Sequence, residues 1–150
     1  MMARRIGARW WRVAMISTAE EFVRLRTSEI PDEYSRAAHD DAPEQVWMDV
    51  IDNYPDMRKW VAHNKTIPLS ILQLLAADND PEIRHMVAMK RKLSRELFQI
   101  LAQDSDETVR VGVVNNAKTP KEILEWLAHD KSAHIAKLAQ ERLEKTAPEP

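Results

Sequence analysis

Cysteine is absent from this 150-residue sequence. Disulfides, thiolate metal sites and cysteine nucleophiles are thereby excluded, and the usage fits a reducing compartment, so a cytoplasmic location is expected. Glycine is nearly absent: Gly7 and Gly112 are the whole complement. Sheets joined by tight hairpins consume glycine at their turns, so this shortage favours helices. No apolar run approaches the roughly 20 residues that a membrane-spanning helix needs, so no membrane partner is expected.

Recognisable catalytic chemistry is missing as well. The sequence holds no Gly-rich phosphate loop and no nucleophile elbow. The acidic turns "DNDPE" (78–82) and "DSDETV" (104–109) resemble calcium ligands at first glance. An EF-hand loop requires Gly at its sixth position and Glu at its twelfth. Counting from Asp78 gives Ile83 and Met89, and counting from Asp104 gives Val109 and Asn115, so calcium fails twice. The five histidines, His39, His63, His85, His129 and His134, contain no i, i+4 pair for zinc and read as solvated surface residues. The adjacent Asp40 and Asp41 point apart on a helix, which is poor geometry for shared acid–base work. No catalytic residue, metal or cofactor is expected, and the chain reads as a non-enzyme.

Charge is uneven along the chain. Residues 1–14, "MMARRIGARWWRVA", carry four arginines and no acid, leaving 18 basic against 24 acidic side chains in the remainder. An acidic body is a poor phosphate neutraliser, which argues against nucleic acid. The first 14 residues admit two readings, a basic Trp-containing anchor or targeting peptide, or a disordered basic extension before a more natural start at Met15. Arg12 interrupts the apolar stretch too early for a good signal peptide, so the extension is the expected reading. After it, Ser17 and Glu20 are placed to form a capping box opening the first helix.

What the sequence does contain is a period of 26 residues. Asp52, Asp78 and Asp104 align, with Asp130 opening a fourth register, and Arg58, Arg84 and Arg110 align with each other. Val61, Val87 and Val113 form another column, as do Leu72, Phe98 and Leu124. Leu75, Leu101 and Leu127 form a third, each followed by alanine. Fixed-period self-similarity of this length marks a repeat array. Each copy divides into two short helices. In the second copy Asp80 caps and Pro81 starts the first helix, with Ile83, Met86 and Val87 as its apolar stripe. The second helix begins at Ser94 and is expected to bury Leu97, Phe98, Ile100 and Leu101. In the third copy Asn116 suits a left-handed helix end and Thr119-Pro120 opens the next helix. Helices this short are marginal alone, so each copy needs a neighbour to cover its stripe.

"DPEIRHMVAMKRKLSRELFQILAQD" and "DETVRVGVVNNAKTPKEILEWLAHD" resemble the leucine-rich repeat variant family, a branch of HEAT-like α-solenoids. The resemblance covers roughly residues 43–143. Lys90 stands where the phrase expects Asn, and Ser94 where Pro68 and Pro120 stand in the other copies. The resemblance implies a curved stack of helix pairs that binds other macromolecules. A Cys-rich iron–sulfur segment, which the family can carry, cannot apply here.

The expected architecture is therefore all-α: a short right-handed α-solenoid of HEAT-like helix pairs with an N-terminal helical cap. The cap spans 17–52, with helices near 18–27, 31–40 and 43–52. The repeats span 53–145, as copies 55–78, 81–104 and 107–130 and a terminal helix 132–144, followed by a tail at 146–150. Trp47 falls in an apolar slot of the cap core. The Asp and Arg columns (Asp52, Arg58, Asp78, Arg84, Asp104, Arg110) are expected to pair across each turn as a ladder of charge-assisted hydrogen bonds. A row of phosphate-binding arginines is the alternative, weakened by the acid that accompanies every arginine.

With the core removed, the second helices present Ser70 and Gln73, then Glu96, Gln99 and Gln103, then Glu122, Glu125 and His129, flanked by Arg95 and Lys121. In solenoids these helices usually line the concave side, so Gln73, Glu96, Gln99, Gln103, Glu122, Glu125 and His129 make a mildly acidic candidate binding face. Lys59, His63, His85 and Lys90 give the opposite side a more basic character. Trp126 aligns with Leu74 and Ile100 and reads as core. Trp60, Met86 and Gly112 share a column whose falling size would tighten curvature or leave a shallow pocket at Gly112.

Three functions fit these features. The leading one is a bacterial-type scaffold that binds a protein with a basic surface, in its most specific form an immunity or antitoxin-like inhibitor. A HEAT-like nucleic-acid binder or DNA glycosylase is the second, disfavoured by the acidic face. A pigment lyase or chaperone is the third.

Overall fold

The computed structural model describes residues 15–146. The basic segment at 1–14 and residues 147–150 of the expected tail lie outside the described residues. Among the described residues the chain is all-α. The elements are α1 (Ala19–Thr27), α2 (Pro31–His39), α3 (Glu44–Asn53), α4 (Arg58–His63), α5 (Leu69–Leu75), α6 (Pro81–Ala88), α7 (Arg95–Ala102), α8 (Glu107–Asn115), α9 (Lys121–Leu127) and α10 (Ala133–Thr146). A single 3₁₀ turn, Pro55–Met57, leads into α4. The chain divides into two compact units between Ile71 and Leu72, inside α5.

In the first unit α1 packs on α2 and α3, and α4 closes against α2 and α3. Phe22, Leu25, Trp47, Val50 and Val61 are fully enclosed. Trp47 and Phe22 meet edge to face, their ring centroids 5.4 Å apart, so Trp47 is core as its slot predicts. The start of α1 is shifted by one residue from expectation. Thr18, not Ser17, is the cap and accepts from the Glu21 N–H at 3.0 Å, while the Glu21 carboxylate takes the Ser17 N–H at 3.0 Å. Two orphan amides at the helix end are thus satisfied reciprocally, by the neighbours of the residues expected to do it.

In the second unit, first helices pack on first helices and second on second. Helix α8 contacts α6 and α10, and α7 contacts α9. The buried columns are the ones the period marks: Leu75, Leu101 and Leu127, Phe98 and Leu124, Val87 and Val113. Local signals set the helix starts. Asp80 accepts from the Glu82 N–H at 2.9 Å, Asp106 from the Thr108 N–H at 2.8 Å, and Ser94 from the Leu97 N–H at 3.2 Å.

Asn116 departs from its expected role. Its backbone is extended (φ −70°, ψ 123°), and among the described residues no non-glycine has positive φ. Its amide instead reaches back one copy and donates to the Ala88 and Lys90 carbonyls at 2.7 and 2.6 Å. Arg142, 26 residues on, repeats the gesture, donating to Val114 and Asn116 at 2.6 and 2.7 Å. Carbonyls left open at a helix end are satisfied by the next copy, so no left-handed cap is needed.

At Gly112 α8 packs against α6 with little room for a side chain. A Cβ there would lie 2.9 Å from His85 Nδ1 and 3.0 Å from the Ala88 Cβ. The shallow pocket considered at this glycine does not form, because the His85 ring takes the space. That histidine is not a solvated surface residue either: its Nδ1–H donates to the Thr108 carbonyl at 2.8 Å.

Candidate protein-binding face

In the second and third copies the Asp and Arg side chains are largely withdrawn from solvent, and their pairing differs from the one expected. Arg84 reaches Asp78 through the backbone carbonyl, with Nη1 donating at 2.8 Å. Its carboxylate partner is Asp104, twenty residues on, held by Nε at 2.8 Å and Nη2 at 3.0 Å. Arg110 repeats the pattern, with Nη1 to the Asp104 carbonyl at 2.8 Å and a fork onto Asp130 at 2.9 and 3.2 Å. The six-residue and twenty-residue steps together make the period, so each arginine ties two successive turns. The side chains of Arg110 and Asp130 are 5% and 6% exposed, and those of Arg84 and Asp104 15% and 10%. The hydrogen bond to Asp104 raises the Arg84 pKa above its ordinary value, against the opposing effect of burial. Three aspartates of this column also brace the turn that follows them. The Asp78, Asp104 and Asp130 carboxylates accept the N–H two residues on at 2.8, 2.9 and 2.8 Å. In the first copy Asp52 is exposed, and Arg58 donates Nε to the Pro55 carbonyl at 3.3 Å. The ladder holds turns together, and its two bidentate guanidiniums are committed to carboxylates rather than open to phosphate.

The predicted face residues all reach solvent. Gln73 on α5, Glu96 and Gln99 on α7, Gln103 at its C-cap, Glu122 and Glu125 on α9, and His129 just beyond it are exposed. Their acidity is largely internal. Arg95 pairs with Glu122 across the α7–α9 seam, and Lys121 lies 3.9 Å from Glu125. The Glu122 carboxyl is held below its ordinary range, chiefly by its own backbone N–H and next by Arg95. Glu96 is the acid of this set without a basic partner among the described residues.

Between these polar positions runs an apolar row. Leu74, Ile100 and Trp126 occupy the same place in successive copies and are 42%, 58% and 61% exposed. The core assignment of Trp126 and Ile100 is therefore corrected. The helical wheel carries the signal. Leu97, Phe98, Leu101 and Ala102 centre the buried stripe of α7. At about 100° per residue, Ile100 lies roughly 130° from that centre. The column shared by Leu74, Ile100 and Trp126 is an outward position and not a core one. Beside Trp126 opens a groove of about 660 Å³, bordered by Gln103, His129 and Lys131, with Arg110 and Asp130 in its wall.

Among the described residues no group of three His, Asp or Glu side chains is placed to hold a metal ion, and no helix is long and apolar enough to cross a membrane. No family model, curated protein or solved structure matches this chain.

Proposed function

We propose that the chain is a non-enzymatic protein-binding repeat scaffold of the leucine-rich repeat variant type, a short right-handed α-solenoid that receives its partner on the outward face of α5, α7 and α9. The observation that carries this reading is the exposed row Leu74, Ile100 and Trp126. Folding alone gives no reason to repeat a large apolar side chain in solvent at one position of three copies, and an exposed apolar stripe rimmed by polar groups is what an interface looks like before it is covered. Burying a side chain of this size on association is worth about 1.5–3 kcal/mol, and an exposed Trp is the usual anchor of such a contact. The internally paired acids leave Glu96 as the electrostatic handle, so a basic residue on the partner supplies orientation and the apolar row supplies affinity.

The test is affinity capture from native lysate with three baits. They are the full chain, the Ile100→Asp/Trp126→Ala double variant, and the Glu96→Lys/Glu122→Lys/Glu125→Lys triple variant. The expected result is one stoichiometric protein, identified by mass spectrometry and rebound when pure, that the double variant loses entirely and the triple variant holds more weakly. Equal recovery on all three baits would remove this face as the binding surface.

A further inference from the structure

We infer that the first unit carries a carboxylate-binding subsite built on Arg26. None of its residues lies on the α5, α7 or α9 face, so it stands apart from the reading above. Arg26 occupies the last turn of α1, where a cation suits the negative end of the helix dipole, as Arg24 in the same turn does. The two then differ. Arg24 pairs with Glu33, and Arg36 takes Glu21 and Asp40, so these carboxylates are committed to other arginines. The half-buried Arg26 guanidinium lies instead over two aromatic rings, its Cζ 3.3 Å from the Trp60 ring centre and 4.4 Å from that of Tyr34. Its Nε is enclosed and has no hydrogen-bond partner among the described residues, and no carboxylate there pairs with its Nη groups.

The rings attract a cation, but they do not replace the anion that a guanidinium partly withdrawn from water requires. What they supply is orientation. A planar fork held against two rings loses little freedom on binding, and its donors match the two oxygens of a carboxylate. The surroundings select the same group. Arg26, Tyr34, Ala37, Ala38, Trp60 and His63 line a pocket of about 20 Å³, with no acid among them. A space of that size holds one or two water-sized atoms, which suits carboxylate oxygens and is small for a phosphate. Lys59 Nζ lies 5.1 Å from the Trp60 ring centre, and the His63 ring stands edge-on to the same indole at 5.9 Å, so nitrogen-bearing side chains flank the pocket. The device belongs to this unit and not to the repeat. In the 26-residue alignment Met86 and Gly112 stand where Trp60 does, and neither offers a cation a ring face.

Nitrogen-15 NMR of the full chain reads this site directly, through the Arg26 Nε–H signal, assigned by its loss in Arg26→Lys, and through the Ala37 and Ala38 amides. The probes, titrated at constant ionic strength, are acetyl-trialanine, acetyl-Ala-Glu-Ala-amide, acetyl-Ala-Gln-Ala-amide and inorganic phosphate. The first carries only a C-terminal carboxylate, the second only a side-chain one, and the third neither. Saturable shifts are expected with at least one carboxylate peptide, at least about tenfold tighter than with the glutamine peptide or phosphate. Whichever carboxylate peptide binds more tightly identifies a chain terminus or an acidic side chain as the natural source. Arg26→Lys, followed through the two alanine amides, should bind about tenfold more weakly although the charge is kept, because the planar fork is lost. Tyr34→Ala, at an exposed position, should weaken binding about threefold or more, with circular dichroism confirming unchanged helix content. No saturable shift with either carboxylate peptide, an equal response to the glutamine peptide or to phosphate, or full affinity in Arg26→Lys would each overturn the inference.

Discussion

Arg110 and Asp130 are the most buried charged pair of the repeat, and their cost if separated follows from that burial. Removing one partner leaves an uncompensated ion where water cannot reach it, which costs about 3–5 kcal/mol. Arg110→Ala is therefore expected to lower stability by about that amount in urea unfolding. Arg84→Ala, whose partner Asp104 keeps more solvent, should cost about 1–3 kcal/mol. The reverse ranking would mean that burial does not set the worth of these rungs. Gly112 gives a second test. Alanine is the better helix former by about 1 kcal/mol. At this site, however, its methyl would press on His85 and on the Ala88 Cβ. Overpacking of that kind costs about 1–3 kcal/mol, so Gly112→Ala should lower the melting temperature, and His85→Ala in the same background should recover part of the loss.

Among the elements, helix starts were the most legible feature, because a cap is written in two or three adjacent residues. Asp80, Pro81, Ser94 and Thr119-Pro120 stand where the chain turns into α6, α7 and α9. Asp106 shows the same device under electrostatic control. Its carboxyl is held below the ordinary 3.8, first by the Thr108 hydroxyl and then by the Thr108 N–H. A lowered folded-state value means that the stabilisation is complete above the unfolded-state pKa and fades as pH falls through the folded one. Asp106→Ala is thus expected to melt below the parent chain at neutral pH, with the gap closing below about pH 4. A gap that persists at pH 2 would assign the cap to something other than the carboxylate. Outward faces were less legible. Leu74, Ile100 and Trp126 are apolar and periodic, which in a short helix looks like core until the angle to the buried stripe is measured. Replacing Trp126 by Ala should consequently change stability by no more than about 0.5 kcal/mol, as for other exposed positions.

At the scale of the whole molecule, the second unit is built from contacts of limited reach. Its bridging hydrogen bonds span 20 to 28 residues, from the Arg84–Asp104 fork to the Asn116 and Arg142 hooks. Chains with such local contacts close small loops and fold in microseconds to milliseconds. Stopped-flow refolding should therefore show a main phase within milliseconds, and a main phase of seconds would show that longer-range order limits folding. The sequence by itself determined the helical class, the 26-residue period, the buried columns and most caps, because each depends on residues within one or two helical turns. Which aspartate each arginine grips, where Asn116 sends its amide, and what fills the space at Gly112 were decided only by tertiary structure. Those choices rest on distances between copies, and a repeat in sequence fixes that copies are equivalent without fixing which atoms of one meet which atoms of the next.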